Sequence, residues 1–123
     1  MPPGKYSEYK EIFMDFVGYY TQTVEKLNEM IKSADSPVYL FGAHIFSQYL
    51  LCLGLNQTKI ESILDNSKTK QGRRLYGTHF FVESPHILKG KDKPIVILKA
   101  GFFNEEIKKD IINNINPKVI FWE

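Results

Sequence analysis

Along the first quarter of the chain, apolar residues recur at three- and four-residue steps. Phe13, Phe16, Val17, Tyr20, Val24, Leu27 and Ile31 fall on one stripe of a helix predicted over about 5–32. Glu11, Asp15, Gln22, Lys26 and Glu29 take the other side, and Gly18 is the only weak point in the run. Tyr6, Tyr9, Phe13, Phe16, Tyr19 and Tyr20 make its first half unusually aromatic. This stripe is expected to pack on the core. A helix so long can outrun a small sheet, and a leftover apolar end then calls for a partner domain or a second copy. Residues 33–37 are a stop and a turn, since Pro37 disfavours helix at the position before it.

Beyond Pro37 the pattern changes. Val38-Tyr39-Leu40-Phe41 and Ile95-Val96-Ile97-Leu98 are short continuous apolar runs, the mark of parallel strands buried on both faces. Further strands are predicted over 60–64, 80–82 and 118–122. Between them lie helices over 45–53, closed by Gly54, and over 105–114, with Glu105 and Glu106 at the positive end. Ser84-Pro85 starts a short helix through Leu88. Strands alternating with helices predict an α/β fold, a Rossmann-like three-layer sandwich with a mostly parallel sheet, preceded by a long N-terminal helix. The chain divides into that helix (1–35) and the sheet domain (36–123).

Composition narrows the function classes. The 123 residues suffice for one domain, with 43% hydrophobic and 14% aromatic residues to fill a core. A net charge of +2, with bases and acids interleaved, gives no basic face of the kind nucleic acid requires. No apolar stretch approaches the ~18 residues that span a bilayer, and residues 1–5 do not lead into a signal-peptide core. Cys52, the single cysteine, sits among leucines and is expected to be a buried, inert thiol in a reducing compartment. A cytoplasmic protein is the expectation. His44, His79 and His86 do not match a metal-ligand spacing, so no metal site is expected.

In such a sheet, ligands settle outside the carboxyl ends of the strands, where the strand order reverses. Three loops are candidates there: Gly42-Ala43-His44, Asp65-Asn66, and Gly101-Phe102-Phe103-Asn104. The first opens a helix whose free N–H groups attract phosphate. The dinucleotide fingerprint, however, asks for glycines where His44 and Ser47 stand. Asp65 follows Gly42 at close to the ~20-residue spacing at which an acid meets a ribose hydroxyl. Ribose contact and turn capping both stand as readings of Asp65-Asn66. Imidazole is a general base in many sites, but His44 has no carboxylate or nucleophile visibly paired with it, so it reads as a polar contact to ligand or solvent. His79 and His86 read as surface or capping residues. Lys68, Lys70, Arg73 and Arg74 are a solvated loop or an embrace for a diphosphate.

Taken in order, these stretches resemble the C-terminal domain of S-adenosylmethionine-dependent sugar C-methyltransferases. The likeness rests on Leu40-Phe41-Gly42-Ala43, Leu53-Gly54-Leu55, Asp65-Asn66, Lys70-Gln71-Gly72, Gly77-Thr78, Ser84-Pro85, and Ala100-Gly101-Phe102-Phe103-Asn104-Glu105-Glu106-Ile107. It covers about 38–122, and the long preceding helix also has a counterpart in the family, where it links domains. The chain departs from the family at His44, where a small hydroxyl residue is common, and near Phe46, where the family has a lysine. It departs again at Gly101-Phe102-Phe103, where Trp-Asn-Phe is usual.

The resemblance implies an accessory domain that helps to enclose a nucleoside diphosphate sugar and is not catalytic alone. It implies that S-adenosylmethionine is bound by a separate methyltransferase domain, in cis or in trans, with no cofactor in this chain. By position, Gly42, Ala43, His44, Asp65, Asn66, Lys70, Gly101, Phe102 and Asn104 are the ligand-contact candidates, and no catalytic residue is assigned. Two alternatives come from other classes. One is an interaction module that forms a homo-oligomer through the N-terminal helix; the other is a small dinucleotide-binding protein.

Overall fold

The computed structural model describes the backbone of residues 3–43, 45–75, 77–98 and 103–123, and the side chains of these from residue 8 onward except 45 and 46. The elements run α1 (Pro3–Lys32), β1 (Val38–Phe41), α2 (Ile45–Cys52), β2 (Ile60–Leu64), β3 (Val82–Glu83), β4 (Ile95–Leu98), α3 (Asn104–Asn114) and β5 (Ile120–Trp122). Two single turns of 3₁₀ helix, Gln57–Lys59 and Pro85–Leu88, complete them.

The five strands form one parallel sheet in the order β3-β2-β1-β4-β5. The chain therefore winds outward from β1 in one direction and, after β4, in the other. Alternation along each strand divides the core into two layers. Val38, Leu40, Ile95 and Ile97 face α1 and α2, with Val24, Leu27, Ile31, Leu50 and Leu51. Tyr39, Phe41, Val96 and Leu98 face the other way, onto Leu88 and onto Ile111 and Ile115 of the α3 side. β1 and β4 are buried along their whole length, as their unbroken apolar runs demand. In β2 the pairing to β1 slips between Val38 and Leu40, so Ile60 and Ile63 share one layer across the polar pair Glu61-Ser62.

The long helix behaves differently along its length. Thirty residues at 1.5 Å each make about 45 Å of helix, and only the C-terminal half reaches the sheet. Val24, Leu27 and Ile31 are buried, whereas Tyr9, Ile12, Phe13, Met14 and Tyr19 are exposed. Core packing thus holds for the second half of the predicted stripe and fails for the first, because the helix outruns the sheet. Between the halves, the rings of Phe16 and Tyr20 lie 5.3 and 6.0 Å from that of Tyr49 on α2. Farther along, the Asn28 amide donates to Gly54 O at 3.0 Å and accepts from Asn56 N at 2.7 Å. The end of α2 is tied to α1 in this way.

Three local expectations are corrected. The helix after β1 ends at Cys52, and Leu55 N donates back to Leu50 O across Gly54, whose φ of 106° suits glycine. Cys52 itself is exposed: one helical step past Leu51 turns it off the core. The third strand is Val82–Glu83 rather than 80–82. Phe80 and Phe81 instead run antiparallel to residues 73–75, through the Arg74–Phe81 bridge and the Leu75 N to Phe80 O bond of 2.8 Å.

The last strand starts at Ile120 because Asn116, buried, ties up the turn before it. Its amide donates to Leu88 O and Lys91 O at 2.8 and 2.9 Å, and its oxygen accepts from Lys118 N at 2.9 Å.

Candidate functional site

Registers place the three central strand ends side by side. Phe41 pairs with Leu64 of β2 on one side and with Leu98 of β4 on the other. The carboxyl ends of β1, β2 and β4 thus share one rim, as expected for an open parallel sheet.

The first two loops are locked together. Gly42 N donates to Leu64 O at 2.6 Å and Ala43 N to Asp65 Oδ2 at 2.9 Å. Asp65 Oδ1 accepts from Ser67 N at 2.8 Å, so this carboxylate caps its own turn and also holds the β1–α2 turn. Lys70 closes the circle: its Nζ donates to Ala43 O at 2.9 Å. Gln71 Nε2 donates to Asp65 O at 2.8 Å, and Ser47 Oγ donates to Gly42 O. Ser47 is buried, which explains a small residue there. The N–H groups of Gly42 and Ala43, just before the helix whose free N–H groups are the expected anion donors, are therefore already engaged.

The remaining candidates are dispersed. Asn66 is exposed. Asn104 heads α3 on the β5 side of β4, with its amide 3.4 Å from Leu98 O and 3.3 Å from Glu123 Oε1. His44, Gly101 and Phe102 lie outside the described residues. His79 and His86 are exposed, in line with expectation. Among the described residues, no group of three metal-ligating side chains occurs.

Beside the locked loops runs a groove between α2 and the hairpin of residues 72–82. Its first part, of about 390 Å³, is lined by Ala43, Gln48, Lys70, Arg73, Arg74 and Leu75, with Thr69 and Val82. Lys68 is not among these residues. A second cavity, of about 460 Å³, shares Gln48 with the first and is lined also by Leu51, Cys52, Gln57, Gly77, Thr78 and His79. The sequence named the cations but did not reveal the wall opposite them. Gln48, Leu51 and Cys52, at i, i+3 and i+4, form the face of α2 that makes the groove.

A parallel sheet wound both ways from a central strand, with its central strand ends side by side at the carboxyl rim, defines a Rossmann-like α/β domain. Within that class the family is specific. Residues 5–118 match the family model for the C-methyltransferase C-terminal domain, and the chain belongs to that family. The match takes in nearly all of α1 together with β1–β4 and α3. No curated protein and no solved structure matches the chain. Among the described residues no helix is long and apolar enough to cross a membrane.

Proposed function

We propose that this domain holds a nucleoside diphosphate sugar for a C-methyltransferase and performs no chemistry by itself. One observation carries the reading: Asp65 and Lys70 converge on the backbone of Ala43 at the carboxyl rim, beside a groove carrying Arg73 and Arg74. A preorganised rim with a flanking cationic wall suits a ligand that pairs hydroxyls with a diphosphate. S-adenosylmethionine belongs to another domain in this reading. The β1–α2 turn has His44 and Ser47 where a dinucleotide-type fingerprint has glycine, and its first two N–H groups are engaged. A lone cysteine, with no second one to form an internal disulfide, suits a reducing, cytoplasmic setting.

Calorimetric titration tests the proposal. Thymidine or uridine diphosphate sugars bind, NAD(H) and S-adenosylmethionine do not, and methyl transfer by the isolated chain is nil. Binding of NAD(H) in preference to every sugar nucleotide overturns it.

A second reading is favoured by the exposed Tyr9, Ile12, Phe13 and Tyr19. This half of α1 is the surface that meets the methyltransferase domain, or a second copy when that domain is absent. Light scattering is the check: the chain self-associates, and Phe13→Ser with Tyr9→Ser renders it monomeric. A monomer before and after substitution removes this reading.

A further inference from the structure

We infer that the groove between α2 and the hairpin of residues 72–82 is a two-part site for a phosphorylated ligand. The phosphate lies on Lys70, Arg73 and Arg74, and an uncharged, flat arm reaches past Gln48 toward His79. This deepens the sugar-nucleotide reading and rests on it for the identity of the ligand; the anion site rests on the groove alone.

Charge comes first. From Asn66 to Val82 the chain carries Lys68, Lys70, Arg73 and Arg74 and no acidic residue. The ion pairs among the described side chains gather around Lys108, on the far side of the sheet, and Arg73 and Arg74 enter none. Like charges crowded on one concave wall repel, and an anion between them relieves that repulsion. The wall behind them is apolar, because Ala43, Leu75 and Val82 are all buried. A low-dielectric backing strengthens the field in the groove.

The scaffold is rigid where the charges stand. Gly72 N donates to Val82 O, and Val82 N to Arg73 O, both at 2.8 Å. Gly72 and Gly77, with φ of 80° and 77°, allow the chain to turn tightly at both ends of the hairpin strand. Lys70 is fixed by Ala43 O, which sets its ammonium at the mouth. The guanidinium of an arginine presents a planar fork that matches two phosphate oxygens. The backbone donors of Gly42 and Ala43 are spent on Leu64 and Asp65, so the anion's partners argued for are these side chains.

The second part of the groove has different chemistry. Its lining of Leu51, Cys52, Gln57, Gly77, Thr78 and His79 contains no Asp, Glu, Lys or Arg. The His79 ring lies 4.3 Å from the buried Phe80 and is tilted 31° to it, a supported platform beside the cavity. Thr78 Oγ1 donates to Leu75 O and accepts from Phe80 N at 3.2 Å, which leaves one lone pair for a ligand donor. Both parts fall within the range of about 300–1,000 Å³ typical of small-molecule sites.

The test uses the full chain, with inorganic pyrophosphate, uridine diphosphate and a uridine diphosphate sugar as probes, followed by calorimetry at low and moderate salt. Pyrophosphate binds, and Arg73→Gln/Arg74→Gln weakens it at least tenfold without lowering Tm. The charge-matched control Lys89→Gln/Lys109→Gln leaves it within twofold. Thr78→Trp, which fills the uncharged part, weakens the diphosphate nucleotide at least fivefold and pyrophosphate not at all. Pyrophosphate binding that is absent, or unchanged in the arginine double variant, overturns the anion site. A sugar nucleotide that binds the double variant as well as wild type also overturns it, while leaving the proposed function standing. Pyrophosphate that binds through Arg73 and Arg74 while every sugar nucleotide fails defeats the proposed function instead and keeps the anion site.

Discussion

Removing the Asp65 carboxylate loosens the rim from both sides at once. Its two oxygens take the N–H groups of Ala43 and Ser67 at 2.9 and 2.8 Å. Hydrogen bonds to a charged group contribute about 1.5–3 kcal/mol each. Ala43 is 8% exposed, so its freed N–H has little water to replace the lost partner, whereas Ser67 is half-exposed and recovers part of the loss. Asp65→Ala is therefore expected to destabilise the fold by roughly 2–4 kcal/mol. For a domain of this size that lowers Tm by roughly 8–15 °C. Asp65→Asn keeps one acceptor oxygen but turns an NH₂ toward the second donor, and falls between wild type and Ala. Urea unfolding followed by circular dichroism reads both variants, with the m-value showing that the unfolded reference is unchanged. An Ala variant within 0.5 kcal/mol of wild type refutes the claim that Asp65 holds the β1–α2 turn.

Other predictions follow from equally local causes. Asn116→Ala strips partners from Leu88 O, Lys91 O and Lys118 N and costs roughly 2–4 kcal/mol in the same assay. Gly18→Ala meets no atom within 4 Å on exposed helix and stabilises by about 0.5–1 kcal/mol, raising the urea midpoint. Burial, then the neighbouring Tyr19 and Tyr49, raises the Tyr20 phenol above its usual pKa of 10.0. The folded state thus holds that proton more tightly than the unfolded chain does. This contribution is complete below pH 10 and is lost as pH climbs through the raised value. Tyr20→Phe accordingly flattens the fall in stability between about pH 9.5 and 11; an unchanged slope in unfolding titrations at those pH values contradicts the assignment.

Much of the fold is legible in the pattern of residues, and particular residues show where legibility ends. β1 and β4 have the bounds that their apolar runs predict, because a strand buried on both faces leaves little freedom in its sequence, and β2 also keeps its predicted bounds despite Glu61-Ser62. The hairpin of residues 72–82 is not legible. Its pairing of Arg74 with Phe81 joins an exposed cation to an exposed ring, so no alternation marks it, and Phe80-Phe81 read as the start of a strand. Helical periodicity shows that α1 has an apolar face from Phe13 to Ile31. It does not show what covers that face, and only from Phe16 onward does the sheet domain do so. At the rim, Gly42 and Asp65 are readable from turn chemistry and spacing. The reach of Lys70 back to Ala43 O is not, since it depends on how a polar loop folds over the end of β2.

Amide chemical shifts of the ¹⁵N-labelled chain, followed during titration with a nucleoside diphosphate sugar, test the central claim most directly. Saturable shifts at residues 42–43, 65–67 and 70–75, with those of 105–114 unmoved, are the predicted result. A titration that moves none of the rim amides, or moves only those of α1, contradicts a ligand seated at the carboxyl ends of these strands.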